Sequence, residues 1–266
     1  MGRVRYARSA LDLERVETAG QDGGELRYRL LHAVYESDAE VVQAVVPRPL
    51  EPLVQPELRL AFLETTRIDP AGHSRVARAA VFGVHVEYDG LRGCYPITMP
   101  TAPEQAVLAG RERFGEPRKL AEVVLEVEAD RGRVAASATR HGVRFLAATG
   151  EREVELEPQE EIERLFCFKA FPDAVSGAAL DGDPRLVRIE RRRRPQRRWA
   201  MRGGLELGES VFDPVADLPV RRLVAFEYEE GRLVVTARDL RPVPTAWLRP
   251  FLHQRYDAPE VVGVEV

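Results

Sequence analysis

Hydrophobic and polar positions alternate with a period of two over much of this chain, in short runs separated by Gly, Pro and Asp. ELRYRLLHAVYES (residues 25–37) predicts a strand. DAEVVQAVV (38–46) predicts a short helix begun by Asp38 and stopped by Pro47. LRLAFLETTRI (58–68) and VARAAVFGVHVEY (76–88) predict strands, and an Asp-Gly turn at Asp89 and Gly90 returns the chain as another. APEQAVLAGRERFG (102–115) has the helical pattern, with Pro near its start and Gly115 at its end. Two or three strands follow around a tight turn at 130–132. Residues 185–201 and 220–240 predict more strands, the second as a hairpin turning at Glu230 and Gly231. Residues 245–257 predict a C-terminal helix interrupted by Pro250. Many antiparallel strands with a few helices make this an α+β, mainly β fold, a closed or nearly closed β-barrel in one domain spanning 1–266.

Composition narrows the function. Hydrophobic residues are 44% and charged residues 31%, enough for a sizeable core under a well-solvated surface. The net charge of −4 (39 basic, 43 acidic) argues against nucleic acid as a partner. No apolar run approaches the roughly 20 residues that span a bilayer, and residues 1–17 lack a leader-like apolar stretch, so no membrane partner is expected and the cytoplasm is the expected compartment. The two cysteines and five histidines show no ligand spacing, and neither a metal nor another cofactor is expected. Four consecutive arginines, Arg191 to Arg194, read as a solvated strand edge. Only Lys119 and Lys169 are lysines, so any chemistry that needs a lysine amine has two candidates besides the N-terminus.

Three stretches carry a family resemblance: VYESDAEVVQAVVPRPLEP (34–52), AGRERFGEPRKLA (109–121) and FDPVADLPV (212–220). CFKAFPD (167–173) followed by PRLV (184–187) adds a weaker fourth. In this order they resemble the acetoacetate decarboxylase family. The resemblance implies a cone-like double β-barrel around a small apolar pocket, a small-molecule organic acid as partner, and a homo-oligomer. It also implies a lysine that forms an imine with a β-keto acid, after lowering of the amine's pKa by desolvation or a neighbouring cation; acetoacetate decarboxylase is itself the standard illustration of that effect.

The family's imine-forming lysine directly follows a proline. Here Arg118 follows Pro117, and Lys119 matches the second lysine, whose side chain in the family points away from the pocket. A guanidinium stays protonated and cannot attack a ketone, but it receives a carboxylate or enolate oxygen through a rigid fork of donors. The family's two pocket glutamates fall near Ala61 and Ala79, with Glu64 close to the first, and its carboxylate-binding arginine falls near Tyr28, between Arg27 and Arg29. Candidate catalytic residues are therefore Arg118, Lys119 and Glu112, the last organising the loop before the strand. Candidate substrate-binding residues are Arg27, Arg29, Glu64, Tyr95, and the strand histidines His85 and His141 as acid–base groups. Three functions compete: a lyase on a small oxo acid or related carbonyl compound with Arg118 in place of the imine, a non-catalytic binder of organic anions, and an orthodox decarboxylase using Lys119.

Overall fold

The computed structural model describes residues 6–14, 24–68, 72–176 and 179–257; the stretch inspected for a leader lies partly outside them. Its twelve strands are β1 (Leu26–Glu36), β2 (Glu51–Pro52), β3 (Glu57–Ile68), β4 (Ser74–Tyr88), β5 (Leu91–Ala102), β6 (Arg118–Leu120), β7 (Glu122–Glu128), β8 (Arg133–Arg140), β9 (Val143–Leu156), β10 (Glu161–Lys169), β11 (Arg185–Leu207) and β12 (Arg222–Pro242). Helices α1 (Ala39–Ala44), α2 (Glu104–Phe114) and α3 (Thr245–Leu248) are short, and a 3-10 helix, Arg249–Arg255, continues the last of them past Pro250.

The mainly β expectation holds. Strands run in the order β10-β5-β4-β3-β1-β12-β11, and a further β10–β11 pairing closes these seven into a ring. The far half of β11 leaves the ring to pair with β9, which continues through β8 to β7. β6 adds to β5 as a short parallel strand. α2 ends at Gly115, whose φ of 73° is open to glycine at little cost and whose missing Cβ lets the backbone of Phe168 and Lys169 approach closely.

Side chains alternate across each strand, so the ring has two apolar faces. The inner face is a cluster fed by every ring strand: Tyr28 and Leu30 from β1, Ala61 and Leu63 from β3, Val81 from β4, Cys94 and Met99 from β5, Leu165 and Cys167 from β10, Val187 and Ile189 from β11, and Leu233 from β12. The outer face forms a larger core, in which Leu31, Phe62, Phe82, Phe166 and Tyr228 meet Val134, Phe145 and Leu146 of the β7–β9 layer.

Two sequence readings change. Glu230 and Gly231 are not a hairpin turn, because β12 runs through them without a break. Gly231 lies opposite a bulge in β11 between Pro195 and Arg197, and a Cβ there would collide with Arg194 and Pro195. The arginine run is not uniformly solvated either. Arg191 and Arg193 point into the ring and are buried, while Arg192 and Arg194 point outward to Glu160 at 3.0 and 2.9 Å.

Candidate active site

β6 decides which side chain enters the ring. Arg118 lies in register with Met99, an inner-face residue, and Lys119 with Pro100. Neighbours in a strand face opposite sides. Arg118 accordingly turns inward, its Nε donating to Glu116 Oε2 at 2.6 Å. Lys119 turns outward, its Nζ donating to the Phe212 carbonyl and to Asp213 Oδ1, both at 3.0 Å, with Asp257 Oδ1 at 3.3 Å. Three oxygens therefore surround the three N–H groups of its ammonium. Asp213, itself buried, also receives Arg140 and the Thr98 hydroxyl.

Glu116 starts a chain of buried charges through the ring. Arg191 lies 3.3 Å from Glu116 and 3.6 Å from Glu163, and Glu163 also pairs with Arg59. Deeper along β11, Arg193 pairs with Glu229 and, at 2.6 Å, with Glu161; the Tyr28 hydroxyl donates to Glu229 at 3.0 Å. Arg191 and Arg193 are the cross-strand partners of Glu163 and Glu161, so the charges meet at the spacing that antiparallel pairing imposes. Burial costs each ion several kcal/mol, which opposite partners must offset. Burial alone would raise the carboxyls, but the arginines win. Arg118 and Arg191 hold Glu116 below its ordinary range, and Arg59, Arg191 and Arg193 hold Glu163 at about 2.

The Arg118 fork is only partly used. Among the described residues neither of its Nη groups has a hydrogen-bond acceptor, and the side chain keeps 16% of its exposure. Gly110 of α2 packs against the Arg118 stem, and a Cβ there would strike Arg118 and Glu116. The close passage of this helix glycine fixes the guanidinium's position. The Arg111 side chain, one residue on, donates to the Arg118 carbonyl at 2.9 Å.

The other candidates are distributed unequally. Glu112 is exposed on α2, and the carboxylate that meets Arg118 is Glu116 instead. His85 lies on the inner side of β4, but opposite Cys94, whereas Arg118 lies opposite Met99 farther along β5. Its Nδ1 is 3.1 Å from Glu57 Oε2, and burial, opposed by that carboxylate, lowers its pKa. Tyr95 belongs to the outer core, edge-on to Phe168 at 6.0 Å. His141, at a turn with φ of 49°, packs on Phe212 at 4.5 Å and reaches Asp257 at 3.2 Å, so it joins the Lys119 cluster and not Arg118. Arg27, Arg29 and Glu64 line an open cleft of about 500 Å³ on the outer side of the ring.

Sequence reasoning missed Glu116, Arg59, Glu163, Arg191, Arg193 and Glu229. A signal was present for part of this set: Glu161 and Glu163 in one β run, Arg191 and Arg193 in another, each pair spaced by two. Among the described residues no group of three or more His, Cys, Asp or Glu side chains is placed to hold a metal ion, and no helix is long and apolar enough to cross a membrane.

Comparison with known proteins gives one consistent answer. The family model for acetoacetate decarboxylase matches residues 19–241. An acetoacetate decarboxylase of Burkholderia vietnamiensis is 30% identical over 199 residues, which is 71% of this chain and 76% of the relative. Among solved structures, the acetoacetate decarboxylase of Legionella pneumophila superposes with a TM-score of 0.69 at 20% identity, over 82% of this chain and 88% of that one. The enduracididine biosynthesis enzyme MppR, complexed with pyruvate, superposes with a TM-score of 0.68 at 16% identity, over 82% and 90%.

Proposed function

Because the chain belongs to the acetoacetate decarboxylase family, we propose that it is a lyase-type enzyme acting on a small oxo acid or related carbonyl compound, with Arg118 serving where the family's imine forms. The observation that carries this reading is the free fork of Arg118: Glu116 holds Nε, and both Nη groups are left for an anionic oxygen. In a decarboxylation the bond to the departing carboxylate breaks and its electron pair moves through the carbonyl to form an enolate. Arg118 donates to that oxygen, CO2 leaves, and the enolate carbon takes a proton from water. Stabilising charge as it develops, with a donor already oriented, is the contribution a fixed guanidinium can make. The pyruvate-bound relative supports an oxo acid as the substrate class.

The lysine route has less support. Lys119 is turned from Arg118 and engaged by Phe212, Asp213 and Asp257, and reaching the ring interior would require turning over the whole of β6. The binder reading draws on a different observation: ion pairs span the ring interior, and the carboxylate beside Arg118 is held ionised and is a poor general acid.

The test is turnover of acetoacetate and a panel of 2-oxo and 3-oxo acids followed by NMR, with borohydride trapping in parallel. Turnover without a lysine adduct, lost in Arg118→Ala, is expected. Binding without turnover establishes the binder, and a reduced adduct on Lys119 overturns both.

A further inference from the structure

The open cleft on the outer side of the ring is built from two cross-strand rows. In the lower row Arg78, Glu64, Arg29 and Glu230 lie side by side across four strands, and their charges alternate. Glu64 receives Arg29 and, at 2.7 Å, Arg78; Glu230 receives the Tyr228 hydroxyl at 2.7 Å. In the upper row Thr66, Arg27 and Arg232 are in register, with no carboxylate between them. Like charges directly opposed across an antiparallel pair are destabilising. Arg232 has an exposed partner in Glu25 at 2.5 Å, but Arg27 has neither hydrogen bond nor ion pair among the described residues. Directly paired residues point to the same face, so both guanidinia overhang the same cleft, whose volume is about 500 Å³. That is the size of an ordinary small-molecule site. The β11 bulge adds Gln196 to its wall, and the backbone of Gly231, bare of a side chain, lies beside it.

We propose that this cleft is a second binding site, separate from Arg118, for a small phosphate monoester. A phosphate dianion between Arg27 and Arg232 would convert an opposed pair of cations into two charge-assisted contacts. Its third oxygen suits the Thr66 hydroxyl, and Gln196, Glu64 and Glu230 offer polar groups to the hydroxyls of an organic moiety. A dicarboxylate, with its charges at two ends, cannot centre both between the opposed guanidinia. The site does not depend on what Arg118 does, because Arg118 lies on the other side of the sheet.

Calorimetric titration of the full chain with glycerol 2-phosphate at low ionic strength tests this. Saturable binding at millimolar concentrations is expected, weakened by added chloride and by about tenfold or more in Arg27→Gln, as expected for loss of one charge-assisted contact. Relief of the like-charge pair should leave the unfolding midpoint of that variant unchanged or higher, which separates a lost ligand contact from a damaged fold. Succinate should bind at least tenfold more weakly; equal binding overturns the phosphate assignment. No saturable binding, or binding unchanged in Arg27→Gln/Arg232→Gln, overturns the site. So does loss of a native oligomer in that double variant without any ligand binding to the parent, which would make the cleft a self-contact.

Discussion

Arg118 and Lys119 are adjacent in β6, yet the first donates to Glu116 inside the ring and the second to Asp213 outside it. One strand thus assigns the two cations to different environments. Arg118→Lys puts an amine where the guanidinium now sits, beside a carboxylate that favours its protonated form. This variant should form a borohydride-trappable adduct with acetoacetate, in a yield that rises with pH as the ammonium loses its proton. Mass spectrometry of the reduced protein checks it. An absent adduct at every pH would mean that the loss of the two pocket glutamates, which the family resemblance places near Ala61 and Ala79, matters more than the missing lysine.

Lys119 is held in ion pairs by Asp213 and Asp257, which predicts a structural role. Lys119→Met removes the partner of a buried Asp213 that still keeps Arg140 and Thr98. Its cost should fall somewhat short of a fully orphaned buried charge, at about 2–4 kcal/mol. Urea unfolding measures it. The folded variant should keep whatever turnover the parent has, and a variant that is fully stable but inactive would contradict the assignment.

The sequence carried the strand content, α2 and the Pro-Arg-Lys segment, because period-two alternation and a Gly-ended helix are local signals. Even the opposite facing of Arg118 and Lys119 followed from strand geometry once β6 was taken as gapless. What stayed hidden depended on register. Nothing local indicates that Arg191 and Arg193 oppose Glu163 and Glu161, since an arginine on an exposed edge and one inside a ring look alike until the partner strand is known. Glu64 was misleading for a similar reason: it is three residues from Ala61, an odd spacing that puts it on the other face. Gly231 read as a turn because close backbone approach and a positive φ both select glycine.

Glu163 should govern stability in acid. Its carboxyl, held at about 2 in the fold against an ordinary 4.5, takes up a proton more readily once the chain unfolds. Its contribution is therefore complete above about 4.5 and is lost progressively as pH falls toward 2. Glu163→Gln leaves Arg59 without its carboxylate and Arg191 with only Glu116, so it should cost about 3–5 kcal/mol at neutral pH. It should also flatten the acid limb of the stability profile. Denaturant unfolding at a series of pH values reads both effects, and an unchanged acid limb would exclude Glu163 as its source.

His32 predicts a separate slope nearer neutrality. Its ring nitrogens are buried on the inner side of β1 without a hydrogen-bond partner among the described residues, and Glu227 lies 3.5 Å from Nε2. Burial lowers its pKa against the pull of Glu227, and Arg59 and Arg193 add to the lowering. The folded protein therefore resists a proton that the unfolded chain accepts near 6.5. Stability is fully present above that value and declines as pH drops below it, the same sign as for Glu163 but in a higher window. His32→Leu removes the titrating ring without breaking a good hydrogen bond, and Glu227 keeps Arg198 at 2.7 Å. The variant should show a shallower decline as pH falls below about 6.5, with the contribution of His85 remaining in both proteins. Equal slopes for parent and variant would show that the buried ring takes its proton in the folded state.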